Sequence, residues 1–298
     1  MYRSLALTLW TCLLLAACGD EAPTADDDPA TASGTAEAAD SSTADVAADG
    51  SDDAPDADAT VVHRVIDGDS VELDVDGTIV EARLIGINAP ELADCQGPAA
   101  RDALAGIAGG QAVDVVDYGS DRYGRLLVAL SINDDSVNLA MVRSGWALGQ
   151  HSDEHPDADA WVAAMVRAAE DGLGMWDHRE TCLRSTHTVR LGDAQPNPPG
   201  PDDEVLVDEW IEIVNEGATT VDLEGWALRD ESTSNRLVFE SLTLEAGGRL
   251  RVHTGCGRET ASSYYWCSDF GVWSNQGETA LILGPTGSIE DWAVLSGR

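Results

Sequence analysis

Between Gly19 and Thr60 the chain contains nothing from which a core can be built. Thirteen acids, no base, no aromatic ring and a single branched aliphatic, Val46, stand among Ala, Thr, Ser and Pro. No apolar burial can offset the entropy of ordering such a stretch, so it reads as a solvated spacer. Folding is confined to the residues beyond Thr60. At roughly 150 residues per domain, a chain of 298 residues predicts two modules. Its acids outnumber its bases 54 to 17, a net charge of −37, which excludes a nucleic-acid binder working through a broad basic face. The sequence has no lysine, so every base is a fork-shaped, permanently charged guanidinium. Any anion site must then be local and built from arginine.

The first 18 residues read as an export signal. Arg3 precedes an apolar run from Leu5 to Leu15 that is too short to span a bilayer. Leu15-Ala16-Ala17-Cys18 resembles the lipobox of bacterial lipoproteins, which implies a lipidated Cys18 and attachment to the cell envelope. With Cys12 removed and Cys18 lipidated, Cys95, Cys182, Cys256 and Cys267 remain. Four cysteines allow three pairings; in an oxidising compartment one bridge per module is expected, Cys95–Cys182 and Cys256–Cys267. The expected organisation is a signal at 1–18, an acidic linker at 19–60, a first module at 61–185, a Pro-rich linker at 186–203 and a second module at 204–298. The two modules are expected to move independently about that second linker.

In the first module, Val61–Ile66, Val71–Val75 and Thr78–Ile87 are strand-like, with Asp76-Gly77 as a hairpin signal. A helix over Pro98–Ala108, strands at Ala112–Val116 and Leu126–Ile132, a helix capped by Ser136 and a last helix around Trp161–Ala169 complete it. Five short strands interleaved with helices predict a small closed barrel of the OB type. Polar residues break this pattern at three places: Asp67-Gly68-Asp69-Ser70, Arg83 to Glu91, and Asp121-Arg122-Tyr123-Gly124-Arg125. Asp67 by itself reads as a turn residue. Arg83 sits in an apolar strand, where a guanidinium needs an anionic partner, either an internal acid or a phosphate. His151 and His155 are four apart, but Pro156 argues against a shared helical face and hence against a metal pair.

Ile66-Asp67-Gly68-Asp69-Ser70, Ala82-Arg83-Leu84-Ile85-Gly86-Ile87-Asn88-Ala89-Pro90-Glu91 and Asp121-Arg122-Tyr123-Gly124-Arg125, in this order, resemble the staphylococcal-nuclease family over about residues 61–178. The resemblance implies a Ca²⁺-dependent phosphodiesterase that acts on DNA and RNA and leaves 3′-phosphate ends. It implies Asp69, Asn88 and the carbonyl of Ala89 as metal ligands, Glu91 as the group that orients or deprotonates water, and Arg83 and Arg125 on the phosphate. Tyr123 and Ser70 are implied near the substrate. Where the family's reference members carry aspartate, this chain has Asn88, and one fewer negative charge predicts a weak metal requirement.

In the second module, short strand-like runs from Leu206 to Leu283, among them Leu206-Val207 and Arg249–His253, separated by Gly, Asn and Asp turns, predict an antiparallel sandwich. Trp210 to Asn215 and Val221 to Asp230 resemble the lamin-tail domain, which implies an immunoglobulin-like fold. Trp210, Trp226, Trp266, Trp273 and Trp292 read as core residues, no catalytic constellation is visible, and the ligand of this module is unknown. Two readings compete for the whole chain, beside a third in which the sandwich is the functional part and the barrel a spacer. One is an exported, membrane-anchored nuclease with nucleic acid as substrate; the other is a binding protein whose nuclease fold has lost catalysis, with the sandwich as an adhesion or targeting module.

Overall fold

The computed structural model describes residues 59–152, 155–177, 188–232 and 234–296. The signal with Cys18, the acidic linker up to residue 58, and Cys182 lie outside the described residues. Those that are described fall within one compact unit.

The first module follows its alternating pattern. β1 (Val61–Val65), β2 (Ser70–Val75) and β3 (Thr78–Leu84) form an antiparallel meander. Asp76 and Gly77 both take positive φ at its turn, 53° and 81°, the geometry a two-residue hairpin requires. The expected third strand to Ile87 ends early. Gly86 takes φ +74° and separates β3 from β4 (Ile87–Asn88), and a Cβ there would overlap the ring of Trp161, so the site admits only glycine. After α1 (Gly97–Ala108) come β5 (Asp114–Ser120), β6 (Leu126–Ile132), β7 (Asp135–Ser136), α2 (Val137–Arg143), β8 (Leu148–Gly149) and α3 (Ala158–Glu170). Ser136 caps α2, its side chain accepting from Leu139 N at 3.2 Å. The sheet runs β1-β2-β3-β6-β5, with β3 and β6 parallel. Its edges approach through one bridge, Val61 to Ala112, an OB-type curl around Val62, Leu73, Leu84, Leu104, Val128 and Met141.

The second module is an immunoglobulin-like sandwich, and the described residues are mainly β. Its strands are β9 (Val189–Gln195), β10 (Trp210–Asn215), β11 (Val221–Asp222), β12 (Ala227–Arg229), β13 (Arg236–Val238), β14 (Thr243–Leu244), β15 (Arg249–His253), β16 (Ser263–Tyr265), β17 (Glu278–Leu283) and β18 (Ile289–Leu295). Two four-stranded sheets, β16-β15-β10-β9 and β13-β12-β17-β18, enclose Ile211, Ile213, Leu228, Phe239 and Ile282. Cys256 and Cys267 form the expected disulfide. Cys95 is disulfide-bonded too, while its expected partner Cys182 lies outside the described residues.

Two expectations are overturned. Residues 189–195, assigned to a linker, form β9, which pairs antiparallel with β10, so the proline-rich segment begins only at Pro196. Nor do the modules move independently, because they share a core. On β17, Ala280 and Ile282 point into the sandwich, whereas Leu281 and Leu283 belong to the cluster of the first module. On β12, Leu228 and Ala227 divide in the same way. A strand buried on both faces reads as a continuous apolar run, as Ala280-Leu281-Ile282-Leu283 does. Trp292 joins this shared layer, its ring 5.4 Å from that of Trp176. Each large side chain buried there contributes about 1.5–3 kcal/mol, enough in sum to hold the modules together.

Candidate active site

Strand register brings the sequence fragments to one place. Ser70 pairs with Arg83 across β2 and β3, and Arg83 pairs with Leu127 across the parallel β3 and β6. Arg125 precedes Leu127 by two residues, so the alternation of side chains along a strand puts Ser70, Arg83, Arg125 and Leu127 on one face. A cleft of about 850 Å³ opens there, lined by Arg83, Asn88, Arg122, Tyr123 and Arg125 among others. Local structure fixes each group. Asp121 accepts from the backbone N–H groups of Tyr123 and Arg125 at 2.8 and 3.0 Å and holds the Arg125 guanidinium at 2.8 Å. Tyr123 is 70 % exposed, between Arg122 at 4.9 Å and Arg125 at 5.7 Å from its ring centre. Asp67 accepts from Asp69 N at 3.0 Å, the local turn bond expected of it.

Arg83 is partly buried and tied to both neighbours. Its Nη2 lies 2.9 Å from Asp69 Oδ2 and donates to Asn88 Oδ1 at 3.1 Å, and its Nη1 donates to the Leu84 carbonyl. Asp69 Oδ2 also accepts from Ala89 N at 2.6 Å, and its Oδ1 from Ser70 Oγ at 3.1 Å. Burial pushes the Asp69 carboxyl up to about 6, with Asp67 adding to the rise and Arg83 opposing it. The Arg125 guanidinium is held above its ordinary value: burial pulls it down, but Asp121, Glu81 and Asp69 outweigh that pull.

Residues 81–178 match the family described as staphylococcal nuclease homologue, and residues 184–296 match the lamin tail domain. The first module is a staphylococcal nuclease homologue domain. The second is a lamin tail domain. A Haemophilus influenzae protein named an uncharacterized endonuclease is 29 % identical over 99 residues, which cover 33 % of this chain and 53 % of that protein. Protein ParB of Escherichia coli is 40 % identical over 83 residues, 24 % of this chain and 47 % of that protein. The chain thus spans about half the length of the curated relatives it matches.

Within the nuclease homologue domain, the structure brings together Asp69, Ser70, Arg83, Asn88, Ala89, Tyr123 and Arg125. Glu91 is different. It is exposed, it does not line the cleft, and a turn closed by Asp94 N donating to the Glu91 carbonyl at 2.8 Å follows it directly.

The residues do not fit Ca²⁺ as they stand. A calcium ion takes six to eight oxygens and needs anionic ones among them. Of the three expected ligands only Asp69 is a carboxylate, and a guanidinium lies against both its Oδ2 and Asn88 Oδ1, where a second cation would be repelled. Among the described residues no group of three His, Cys, Asp or Glu side chains could hold a metal.

Two sets of residues were not legible in advance. Asn138 on α2 is buried, accepts from Leu130 N at 3.1 Å and donates to the Ile85 carbonyl at 2.9 Å, fixing the chain just beyond Arg83. Ser232 and Ser234 line the cleft from the lamin tail domain. Beside them, Glu231 accepts from Asn88 Nδ2 through its backbone carbonyl at 2.9 Å. No local motif announces a partner 143 residues away.

Proposed function

We propose that the protein is a nuclease that hydrolyses phosphodiester bonds of DNA or RNA at the Arg83–Arg125 cleft. The observation that carries this reading is the placement of two guanidinium groups, with Arg122 and Tyr123, on one open cleft of a domain matching the staphylococcal nuclease homologue family. A bound phosphodiester would lie across Arg83 and Arg125, and their hydrogen bonds strengthen as charge builds on its equatorial oxygens. Water attacks phosphorus and the bond to the 5′ oxygen breaks, leaving a 3′-phosphate and a 5′-hydroxyl. The resemblance would give the water's proton to Glu91, but its exposed position off the cleft does not support that role.

The Ca²⁺ requirement implied by the resemblance has little support in the arrangement of Asp69, Asn88 and Arg83. In a nuclease zymogram of the whole chain repeated over a range of free Ca²⁺, clearing is expected without saturation below about 0.1 mM. Saturation at micromolar Ca²⁺ would mean that Arg83 leaves Asp69 to a metal.

One observation favours the rival reading, a protein that binds nucleic acid without cutting it. Arg83 and Arg125 are each paired with an acid, Asp69 and Asp121, so a phosphate must compete for both. Retained oligonucleotide with no cleavage at any metal concentration would establish that reading.

Attachment to the bacterial envelope through a lipidated Cys18, with the acidic segment as spacer, belongs to the same proposal. Among the described residues no helix is long and apolar enough to cross a membrane. Cys18→Ser is expected to shift the protein from the membrane fraction to the soluble one on immunoblots; unchanged fractionation would remove the lipid anchor.

A further inference from the structure

Asn88 faces two groups of opposite character. On one side Arg83 can only donate; on the other the Glu231 carbonyl can only accept. An asparagine satisfies both in a single orientation, oxygen toward Arg83 and nitrogen toward Glu231, at 3.1 and 2.9 Å. An aspartate at this position would turn a carboxylate oxygen against a carbonyl oxygen. The residue that departs from the family's reference pattern is therefore the one that receives the lamin tail domain.

Glu231 is itself firmly held. It is 7 % exposed, its Oε1 accepts from His151 N at 2.6 Å, and its Oε2 lies 2.7 Å from His151 Nδ1 and accepts from Thr279 N at 3.0 Å. A buried carboxylate with this many donors is satisfied and rigid. A chain of contacts runs from the lamin tail domain through Glu231 to Asn88 and on to Arg83, at the wall of the cleft. Ser232, next along, lines that cleft.

We infer that Glu231 is a positioning residue for the nuclease site: docked behind the wall of the cleft, it fixes Asn88 and through it the guanidinium of Arg83. This rests on the nuclease reading above and adds to it that the lamin tail domain is a working part of the active site. The domain does more than tether or target the enzyme.

The test uses the full chain and separates kcat from KM on single-stranded DNA. Hydrogen exchange of the 146–152 segment, which carries the His151 N–H, reports docking. Glu231→Ala is expected to lower kcat by about 10²-fold, the loss typical of a group misplaced by an ångström, with KM changed by less than about threefold. Glu231→Gln keeps an oxygen for His151 N and the backbone carbonyl for Asn88, and is expected to recover most of that kcat. Arg236→Ala breaks another contact between the domains, Arg236 to Asp94 at 3.6 Å, away from the cleft; its kcat is expected to stay within about twofold of wild type. Should Glu231→Ala fail to fold, Asn88→Asp replaces the donor to Glu231 with a carboxylate oxygen that opposes the Glu231 carbonyl and adds a charge beside Arg83, and a tenfold fall in kcat is expected. Unchanged kcat in Glu231→Ala, an equal loss in Arg236→Ala, or a gain in Asn88→Asp would each overturn the positioning role while leaving the nuclease reading intact. A wild-type chain without cleavage would overturn that reading, and the positioning role with it.

Discussion

Arg125→Ala is expected to lower kcat for phosphodiester cleavage by about 10²–10³-fold, the usual cost of removing one preorganised donor from a developing oxyanion. Three features support so large an effect. Asp121 fixes the guanidinium through its side chain while capping the turn that presents it, so the group is oriented before substrate arrives. Arg83 cannot substitute, because Asp69 and Asn88 already engage its Nη2. The surrounding surface, at a net charge of −37 for the chain, supplies no diffuse attraction to replace a lost local one. Arg125→Lys is expected to recover little, since a point charge does not reproduce a planar fork on a phosphate. Stability should hardly change, because ion pairs open to solvent, as Arg125–Asp121 in part is, contribute about 0–1 kcal/mol. Steady-state kinetics on a short oligonucleotide, with an unfolding curve as control, checks both statements. Wild-type turnover in Arg125→Ala would remove the cleft from the reaction.

Glu278→Gln is expected to make the protein more stable at pH 8 and to flatten its pH dependence. Glu278 opens β17 close to Glu231, and it is buried. Burial pushes its carboxyl from 4.5 up to about 9, and Asp230, Glu231 and Glu209 add to the rise against one backbone donor, Ser274 N at 2.7 Å. The folded chain therefore keeps a proton that the unfolded chain releases near pH 4.5. The stability this proton provides is complete below about pH 4.5 and is lost as pH climbs toward about 9. The slope is at most about 1.4 kcal/mol per pH unit, so wild type should lose roughly 2–3 kcal/mol between pH 6 and pH 8 from this group. Asp230 and Asp69, both raised chiefly by burial, act in the same direction. Glutamine keeps an oxygen for Ser274 N and carries no proton to lose. Urea midpoints at pH 5, 6, 7 and 8 should converge at the acid end and separate toward pH 8. Parallel profiles for the two proteins would show that Glu278 is not held protonated.

The local elements were largely readable. β6 matches its expected bounds, Ser136 caps α2, and Asp76-Gly77 makes the first hairpin, because alternation and turn chemistry act over a few residues. The break at Gly86 was not readable, since its cause is the ring of Trp161 on a distant helix. β9 was hidden by the prolines just beyond it, which made the whole stretch look like a linker. The site was legible as a set of residue types and only partly as a geometry. Arg83, Asp69, Asn88 and Arg125 do meet, yet nothing local predicts that Arg83 occupies the oxygens expected to hold a metal, or that Glu91 lies off the cleft.

By itself the sequence determined which segments can fold, the β character of both modules, and the confinement of any anion site to a few arginines. Each of these comes from composition, short-range periodicity or the absence of lysine. Tertiary structure alone decided that the two modules share a core and that Ser232 and Ser234 of one line the cleft of the other, beside the Glu231 carbonyl that accepts from Asn88. Residues 143 apart meet through the Asn88–Glu231 hydrogen bond, and the two-faced burial of Leu281 and Ile282 depends on what packs against each side of β17. Neither fact leaves a periodic trace, because a long-range contact is a property of the packed surfaces and not of the local chain.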